Sequence, residues 1–316
     1  MRAISQDTAG APDVLKLVEV PRPVPGRGEV LVRVRAAGVN PADWKTRARG
    51  VFADGSLPPF TLGFDVAGVI EQVGDGVTLF QVGDEVLGMP RFPHPAGAYA
   101  EYVTGPARHF APVPPGLTPV QAGALPLAAL TAWQALVDTA DVRPGQRVLI
   151  HAAAGGVGHL AVQIAKARGA HVIGTASAAK HELLRALGAD ELIDHRAQDV
   201  ADVLGDSGGA DVVLDCLGGA SWARSLRVLR PGGTLVSIVP PDDAFPAEEA
   251  RAAGVRAVFM LVEPDQAGLR AVTSLVEDGR LRVLVDEVFP LSEAARAHER
   301  GETGRTTGKL VLSVAP

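Results

Sequence analysis

Hydrophobic positions in the first 120 residues recur with the short period of β-strands. Valines occupy every second position between Val30 and Val34, and a period of two is typical of a strand. Two further apolar runs, 67–73 and 84–89, are bounded by glycines of the kind that form turns. Closely spaced short strands predict a partly open antiparallel β-barrel, which we expect to form a rigid wall of a pocket.

From about Leu125 onward, helical and strand patterns alternate, starting with a helix over 125–140. The predicted strands cover 147–151, 171–175, 191–194, 211–215, 233–239 and 256–261, and the predicted helices cover 156–168, 179–187, 264–278 and 292–300. Apolar strands separated by helices favour a doubly wound parallel sheet covered on both faces. The last apolar strand, 309–314, is predicted to return to the first domain.

The expected fold class is therefore α/β with two domains. We expect the barrel domain over residues 1–120, completed by about 265–316, and the parallel-sheet domain over 121–264. A length of 316 residues agrees with two domains.

Composition narrows the class of protein. Hydrophobic residues make up 47% of the chain, enough for a large core, and the formal charge of −6 includes no basic block. This balance argues against binding to nucleic acid or to an anionic membrane. The single cysteine, Cys216, excludes an internal disulfide framework and any site with several thiolate ligands. With no signal-peptide pattern and no long apolar run, we expect a cytoplasmic protein.

The strongest local motif is a strand followed by a glycine-rich turn and a helix. The turn reads Ala153-x-Gly155-x-x-Gly158, a dinucleotide-binding fingerprint with alanine at the first glycine position. Gly155 would let backbone N–H groups approach a pyrophosphate, and Gly158 would let the helix pack closely on the strand. The helix N-terminus would add partial positive charge. The alternative interpretation is a turn that only packs the helix on the sheet.

The end of the next strand indicates which dinucleotide would bind. A carboxylate about 20 residues past the glycines usually bonds the free ribose hydroxyls of NAD, but here the first acidic residue is Glu182. Ser177 and Lys180 are instead suited to a 2′-phosphate, so the predicted cofactor is NADP(H). Alternatively, Ser177 caps the next helix and Lys180 is a solvated helix residue. His195, after the third strand, is equally consistent with an adenine or phosphate contact and with an ordinary surface position.

Further sequence motifs, spread from residue 36 to residue 312, extend this interpretation to nearly the whole chain. They are AAGVNPADWKTRARG (36–50), LGFDVAGVI (62–70), VGDEV (82–86), GAYAEY (97–102), LPLAALTAWQAL (125–136), AAAGGVG (152–158), DVVLDCLGG (211–219), LRPGGTLVSI (229–238) and TGKLVL (307–312). In these motifs the chain resembles the medium-chain dehydrogenase/reductase superfamily, in its zinc-free quinone oxidoreductase branch. The resemblance implies a chaperonin-10-like barrel domain and a Rossmann domain. A homodimer is expected only by analogy with that family.

The resemblance also shows where zinc ligands would stand in the zinc-dependent relatives. Asn40 occupies the position of a cysteine ligand, and Phe64-Asp65 occupies the position of a His-Glu pair. Neither Asn nor Phe replaces a thiolate or imidazole ligand, so we expect no metal. Without a Lewis acid, reduction of a quinone or an α,β-unsaturated carbonyl is better served than alcohol oxidation. The alternative function is a redox-inactive NADPH-binding sensor or structural protein.

The predicted catalytic residues are Asn40 and Lys45. Asn40 would donate to the nicotinamide ribose or to the substrate carbonyl, and Lys45 would stabilise an enolate oxygen or help to protonate the α-carbon; Lys45 is equally consistent with a solvated surface lysine. Asp43 either caps a turn or helix or takes part in the chemistry. The predicted cofactor contacts are Asn40, Ala154, Gly155, Gly156, Val157, Ser177, Lys180, His195, Leu217, Ile238, Phe259, Leu261 and Arg305, together with Thr131, which the resemblance implies faces the nicotinamide. Of these, Phe259 and Leu261 are also consistent with a core strand. Lys309, like Arg305, could reach the cofactor phosphates, or it only docks the last strand.

Overall fold

The computed structural model describes residues 1–205 and 208–314. Its strands are β1 (Arg2–Gln6), β2 (Lys16–Glu19), β3 (Glu29–Val39), β4 (Phe60–Thr61), β5 (Val66–Val73), β6 (Glu85–Gly88), β7 (Tyr102–Pro106), β8 (Phe110–Pro112), β9 (Arg147–Ile150), β10 (His171–Ala176), β11 (Glu191–Asp194), β12 (Ala210–Asp215), β13 (Leu229–Ser237), β14 (Arg256–Phe259), β15 (Val285–Pro290) and β16 (Lys309–Ser313). Its α-helices are α1 (Pro41–Arg49), α2 (Pro119–Ala124), α3 (Pro126–Trp133), α4 (Gly158–Ala167), α5 (His181–Ala186), α6 (Val200–Gly205), α7 (Ala220–Val228), α8 (Ala247–Ala252), α9 (Gln266–Glu277) and α10 (Ala294–Glu302).

The chain divides into two units. The first comprises residues 1–130 and 263–278 together with the described segment from Val283, and the second comprises 131–262 and 279–282. The short return of 279–282 to the second unit was not expected from the sequence.

The first unit is built on a mostly antiparallel sheet in the order β15-β16-β3-β5-β6-β8, with β7 also paired to β3. β16 pairs antiparallel with β3, so the final strand completes the first unit. A smaller sheet has the order β2-β1-β4. The valine alternation correctly predicts β3, but Val30, Leu31 and Val32 are all fully buried. Because β3 has neighbouring strands along both edges and is buried on both faces, its burial does not alternate as it does in a strand with one solvent-facing side.

The second unit contains a six-stranded sheet in the order β11-β10-β9-β12-β13-β14, with every pairing parallel. In order of appearance along the chain this is 3-2-1-4-5-6, the doubly wound order. The carboxyl ends of β9 and β12, the two neighbours at which the winding reverses, therefore define the usual ligand-binding point of such a sheet. Leu149, Ile173, Val213 and Leu235 form the core of this sheet, each essentially inaccessible to solvent.

Two predicted elements differ in detail. The helix predicted over 125–140 is α-helical only to Trp133 and continues as a π-helix over Gln134–Thr139. The strand predicted over 233–239 begins four residues earlier, at Leu229, and includes the Pro231-Gly232 pair. Its pairing with β12 shifts register between Ala210 and Val212, so these turn residues are accommodated as a local irregularity within the strand. No helix among the described residues is long and apolar enough to cross a membrane.

Candidate active site

The glycine-rich turn connects β9 to α4 in the second unit. Ala152 has a positive φ of 49°, which turns the chain sharply after the strand. A Cβ atom on Gly158 would lie 2.3 Å from the Ala152 carbonyl oxygen and 2.7 Å from Ala153 Cα. Glycine is therefore required where α4 begins, because the helix backbone lies directly against the turn.

The same turn leaves several backbone donors available. The N–H groups of Ala154, Gly156 and Val157 have no hydrogen-bond acceptor within the described residues. Gly155 is only partly buried, and a Cβ there would meet a single atom within 4 Å, the Ala152 carbonyl oxygen at 3.2 Å. Unpaired N–H groups at the start of a helix form a site suited to a phosphate group.

A chain of buried hydrogen bonds connects the turn to side chains of the sheet and of α7. The Thr175 hydroxyl oxygen accepts a hydrogen bond from the Ala152 N–H at 3.2 Å. His151 contacts the Thr175 hydroxyl through Nδ1 at 3.3 Å and the Ser225 hydroxyl through Nε2 at 3.1 Å. Burial lowers the pKa of His151, so the imidazole is neutral at pH 7 and one of its nitrogens donates while the other accepts. The sequence motif did not identify this support.

Asp215 organises the neighbouring loop after β12. Its Oδ1 accepts hydrogen bonds from the backbone N–H groups of Leu217 at 2.8 Å and Gly218 at 2.7 Å. Its Oδ2 is 3.3 Å from the Ser225 hydroxyl that contacts His151. Leu217 is 56% exposed and follows directly from the strand end. Polar groups thus connect the carboxyl ends of β9, β10 and β12, where the sheet order predicts ligand binding.

The residues predicted to contact the adenosine part of the cofactor lie at the same edge of the sheet. Ala176 of β10 pairs with Asp194 of β11, so Ser177 and His195 each follow directly after a member of this pair. Ser177 stands immediately before a 3₁₀ turn over Ala178–Lys180 and makes no side-chain cap hydrogen bond. The structure brings these positions together; their contacts with a cofactor stay predictions.

The remaining predicted cofactor residues divide between the two units. Ile238 follows β13 and its N–H donates to the Asp215 carbonyl oxygen at 3.1 Å, while Phe259 ends β14 and pairs with Ser237. Leu261, just beyond, is 49% exposed. Thr131 is buried on α3. Arg305 is an exposed residue of the first unit.

In the first unit, Asn40 belongs to a buried cluster with Asp65 and Lys309. Asn40 Nδ2 donates to Asp65 Oδ2 at 2.9 Å, and the Lys309 ammonium donates to Asn40 Oδ1 and to Asp65 Oδ2, the latter at 3.3 Å. Asp65 Oδ1 accepts from the Leu127 N–H at 2.7 Å. Each of the three side chains is at most 3% exposed. The sequence pointed to Asn40, whereas it marked Asp65 only as a missing zinc ligand. It offered Lys309 as a contact to the cofactor phosphates or as a residue that docks the last strand, and not as a partner of Asn40.

Asp43 lies beside this cluster at the start of α1. Its Oδ2 accepts a hydrogen bond from the Asn40 N–H at 2.8 Å, so it caps the helix as one of the two alternatives anticipated. Its Oδ1 is buried with no hydrogen-bond partner of normal geometry among the described residues. Burial raises the pKa of Asp43 to about 7, with a smaller upward contribution from Asp65; the Asn40 N–H and the Lys309 ammonium act in the opposite direction.

Asp43 also interacts with a second set of buried side chains, formed by Tyr99, His298 and Arg47. Arg47 Nη1 donates to His298 Nδ1 at 3.3 Å, so the single proton of a neutral His298 lies on Nε2, which faces the Tyr99 hydroxyl at 3.3 Å. Burial lowers the pKa of His298 to about 3, which keeps the ring neutral. The Tyr99 hydroxyl interacts in turn with the Asp43 carboxyl, at a geometry short of a formed hydrogen bond.

Lys45 lies on the exposed side of α1. Partial burial of its ammonium group and, to a smaller extent, the nearby Arg49 guanidinium lower its pKa. A lowered pKa makes a lysine a better proton donor near neutral pH. Lys45 is nonetheless an exposed residue, so both interpretations given by the sequence remain, and its catalytic role stays a prediction.

A six-stranded doubly wound sheet with this turn, joined to a mostly antiparallel β unit, is the architecture of a two-domain dehydrogenase or reductase. Two family models match the chain: an alcohol dehydrogenase GroES-like domain over residues 26–115 and a zinc-binding dehydrogenase domain over 187–312. Quinone oxidoreductase from Rattus norvegicus is 35% identical, with 99% of this chain and 97% of that protein covered.

Solved structures show the same similarity. The quinone oxidoreductase from Coxiella burnetii superposes with a TM-score of 0.91 at 39% identity, covering 100% of this chain and 99% of that one. The Escherichia coli quinone oxidoreductase complexed with NADPH has a TM-score of 0.87 at 29% identity, covering 99% and 100%. The chain belongs to the medium-chain dehydrogenase/reductase superfamily, in its quinone oxidoreductase-like branch, and is an oxidoreductase. The fold and the family predicted from the sequence are confirmed.

One of the matched models is described as zinc-binding, but the residues here do not fit a zinc ion. Among the described residues, no group of three or more His, Cys, Asp or Glu side chains is arranged to hold a metal. Asn40 and Phe64 lack suitable donor atoms. The carboxylate of Asp65 already accepts hydrogen bonds from Asn40, Leu127 and Lys309, and the Lys309 ammonium would repel a divalent cation.

Proposed function

We propose that this protein is a zinc-independent, NADPH-dependent oxidoreductase that transfers hydride to a quinone or an α,β-unsaturated carbonyl compound. The observation that carries the proposal is the pairing of two features: a phosphate-type glycine turn, and a buried cluster in which Lys309 joins Asn40 and Asp65. Asn40 and Asp65 stand where the family resemblance puts the zinc ligands of the zinc-dependent relatives. The first feature supports a dinucleotide, and the second supports chemistry without a Lewis acid.

The second unit supports binding of the cofactor. The free N–H groups of Ala154, Gly156 and Val157 would hold the pyrophosphate at the N-terminus of α4. Ser177 and Lys180 would hold the 2′-phosphate, since β10 is followed by no acidic residue before Glu182. The bound nicotinamide would supply the hydride.

Residues of the first unit are suited to stabilise the negative charge that develops on the substrate oxygen. Hydride addition to the β-carbon of an enone moves negative charge onto the carbonyl oxygen, and a quinone is reduced through an equivalent anion. Asn40 would donate a hydrogen bond from Nδ2 to that oxygen. Lys45, whose pKa is lowered by burial, would supply the proton that completes the reduction at the α-carbon or at the quinone oxygen.

The preference for NADPH is testable at Lys180. Lys180→Glu replaces an ammonium with a carboxylate next to the proposed 2′-phosphate position, so we expect NADPH affinity to fall on the order of 100-fold while NADH affinity changes little. Isothermal titration with both cofactors measures the two dissociation constants. Lys166→Glu, on α4 in the same unit, is the matched charge-reversal control. Equal losses for the two cofactors would contradict the 2′-phosphate assignment.

Zinc independence is testable by metal removal. We expect prolonged incubation with EDTA or 1,10-phenanthroline, followed by gel filtration, to leave kcat within about twofold of its starting value, because neither Asn40 nor Phe64 offers a zinc ligand. Metal content measured on the same samples checks that the treatment was complete. Activity lost on treatment and restored by added zinc would refute this part of the proposal.

The reaction itself is testable in single-turnover experiments with NADPH deuterated at C4. We expect deuterium on the β-carbon of an acyclic enone, or oxidation of the cofactor coupled to hydroquinone formation from a benzoquinone, as measured by mass spectrometry. Enone labelling would assign an enone reductase, and turnover of the quinone alone would assign a quinone reductase. Tight NADPH binding with no turnover of any acceptor would refute the proposal in favour of a redox-inactive binding protein.

A further inference from the structure

Lys309 is a buried lysine that the proposed mechanism has not yet used. Its side chain is 3% exposed. Among the described residues, its ammonium donates hydrogen bonds to Asn40 and Asp65, both of which belong to the first unit. Burying an ammonium group is costly unless it is paired. A lysine kept in such a position therefore needs an explanation beyond the filling of space.

We propose that Lys309 is a positioning residue that holds the Asn40 amide in the orientation in which its nitrogen serves as a donor to the substrate oxygen. This inference rests on the proposed function, because it takes Asn40 as the donor to the developing anion. Lys309 itself makes no contact with the substrate in this proposal.

The hydrogen-bond chemistry on each side of the amide determines its orientation. A lysine ammonium can only donate, so the atom of Asn40 that faces Lys309 must be the oxygen. An ionised carboxylate can only accept, so the atom that faces Asp65 must be the nitrogen. The two neighbours thus require the same orientation independently of each other.

This orientation leaves one donor available. One N–H of the Asn40 amide is directed to Asp65 Oδ2 at 2.9 Å, and no acceptor for the second N–H is found in the described ranges 1–205 and 208–314. Without Lys309, the amide oxygen would lose its ammonium donor, and a flipped amide would present an acceptor rather than a donor on the side of the free N–H. A developing oxyanion requires donors held in place before the reaction.

Rigid elements hold all three side chains. Leu310 of β16 pairs with Val39 of β3 in the antiparallel ladder, which brings Lys309 next to Asn40, the residue that follows β3. Asp65 directly precedes β5, another neighbour of β3, and is anchored by the Leu127 N–H. Sites built on paired strands keep their geometry more accurately than sites on loops.

The ammonium also balances the charge of Asp65. Without it, the Asn40 amide would lie beside an uncompensated buried carboxylate, which opposes negative charge on a nearby substrate oxygen. A purely structural role would consist of this charge balance alone. The two roles therefore predict different results when the charges of Asp65 and Lys309 are removed together. Charge balance alone predicts recovery of kcat, whereas the orientation role predicts a loss of kcat.

The decisive comparison is between Lys309→Arg and the double variant Asp65→Asn/Lys309→Met. Arginine retains the charge and the donors to Asn40, whereas the double variant removes both buried charges but leaves the Asn40 oxygen without its ammonium donor. We expect Lys309→Arg to retain kcat within about 10-fold. We expect the double variant to unfold at nearly the wild-type temperature but to lose kcat on the order of 100-fold, with the NADPH dissociation constant little changed.

The controls separate this inference from the proposed function. The double variant Asp190→Asn/Lys166→Met removes an ion pair of the second unit and is expected to keep wild-type kcat. Recovery of both thermal stability and kcat in Asp65→Asn/Lys309→Met would overturn the positioning role, and so would a larger loss of kcat in Lys309→Arg than in that variant. A wild-type kcat in Asn40→Ala, by contrast, would show that the proposed function assigns the wrong donor.

Discussion

Replacing Gly158 with alanine is expected to lower the free energy of unfolding by about 3 kcal/mol, at the upper end of the usual cost of overpacking. The new Cβ would lie 2.3 Å from the Ala152 carbonyl oxygen and 2.7 Å from Ala153 Cα. Both are backbone atoms of the turn and cannot rotate away, so either the turn or the start of α4 must move. Alanine is ordinarily favoured over glycine in a helix, and the steric clash reverses that preference here.

Chemical denaturation followed by circular dichroism measures this loss, and NADPH titration under native conditions shows whether the turn still binds. Gly155→Ala is the matched control in the same turn, because its Cβ would meet only the Ala152 carbonyl oxygen at 3.2 Å. We expect Gly155→Ala to cost less than about 1 kcal/mol of stability and to weaken NADPH binding by restricting the approach to the backbone. Equal stability of the two variants would contradict the packing argument.

Asp43→Asn is expected to stabilise the protein above neutral pH. Burial raises the pKa of Asp43 from 3.8 to about 7 in the folded state, so the folded protein holds a proton that the unfolded chain releases between these two values. The wild-type free energy of unfolding therefore falls as pH rises from about 4 to 7. Asparagine does not ionise, and at 1.36 kcal/mol per pKa unit the variant gains about 4 kcal/mol relative to wild type by pH 8.

Urea unfolding of both proteins between pH 4 and pH 8 measures this difference. The two curves are expected to lie closest together near pH 4, where the folded protein holds the proton and the unfolded carboxyl, with a pKa of 3.8, is only about half ionised. They are expected to separate as pH rises. Asp7→Asn, at an exposed position, is the matched carboxylate-to-amide control. A constant difference across the pH range would mean that Asp43 is ionised in the folded protein throughout.

Much of the fold was predictable because its signals are local. The alternating valines of β3, the apolar runs of β9 to β14 and the glycine turn before α4 each depend on residues within one element or its neighbours. The stretch predicted as helical over 125–140 is helical through Thr139, but its second half is π-helical rather than α-helical. Hydrophobic periodicity does not separate α- from π-helical pairing, because the change follows from packing rather than from side-chain type.

The site was predictable only where a motif carries its own chemistry. The glycine turn and Asn40 were predicted in this way, and their roles stay predictions, whereas the supporting contacts of His151, Thr175 and Asp215 were not anticipated. These residues look ordinary in sequence, and their significance arises because parallel strands bring their carboxyl ends to one edge of the sheet.

By itself, the sequence determined the succession of strands and helices, the nucleotide-type turn, the absence of thiolate and imidazole ligands at the zinc positions, and through them the family. Only the tertiary structure showed that Lys309 is tied to Asn40, 269 residues away, and to Asp65, 244 residues away. Likewise, only burial gives Asp43 a pKa near 7. Local patterns reflect short-range backbone preferences. Contacts and desolvation depend instead on which strands distant in sequence pair with each other, and the type of a single residue does not determine that pairing.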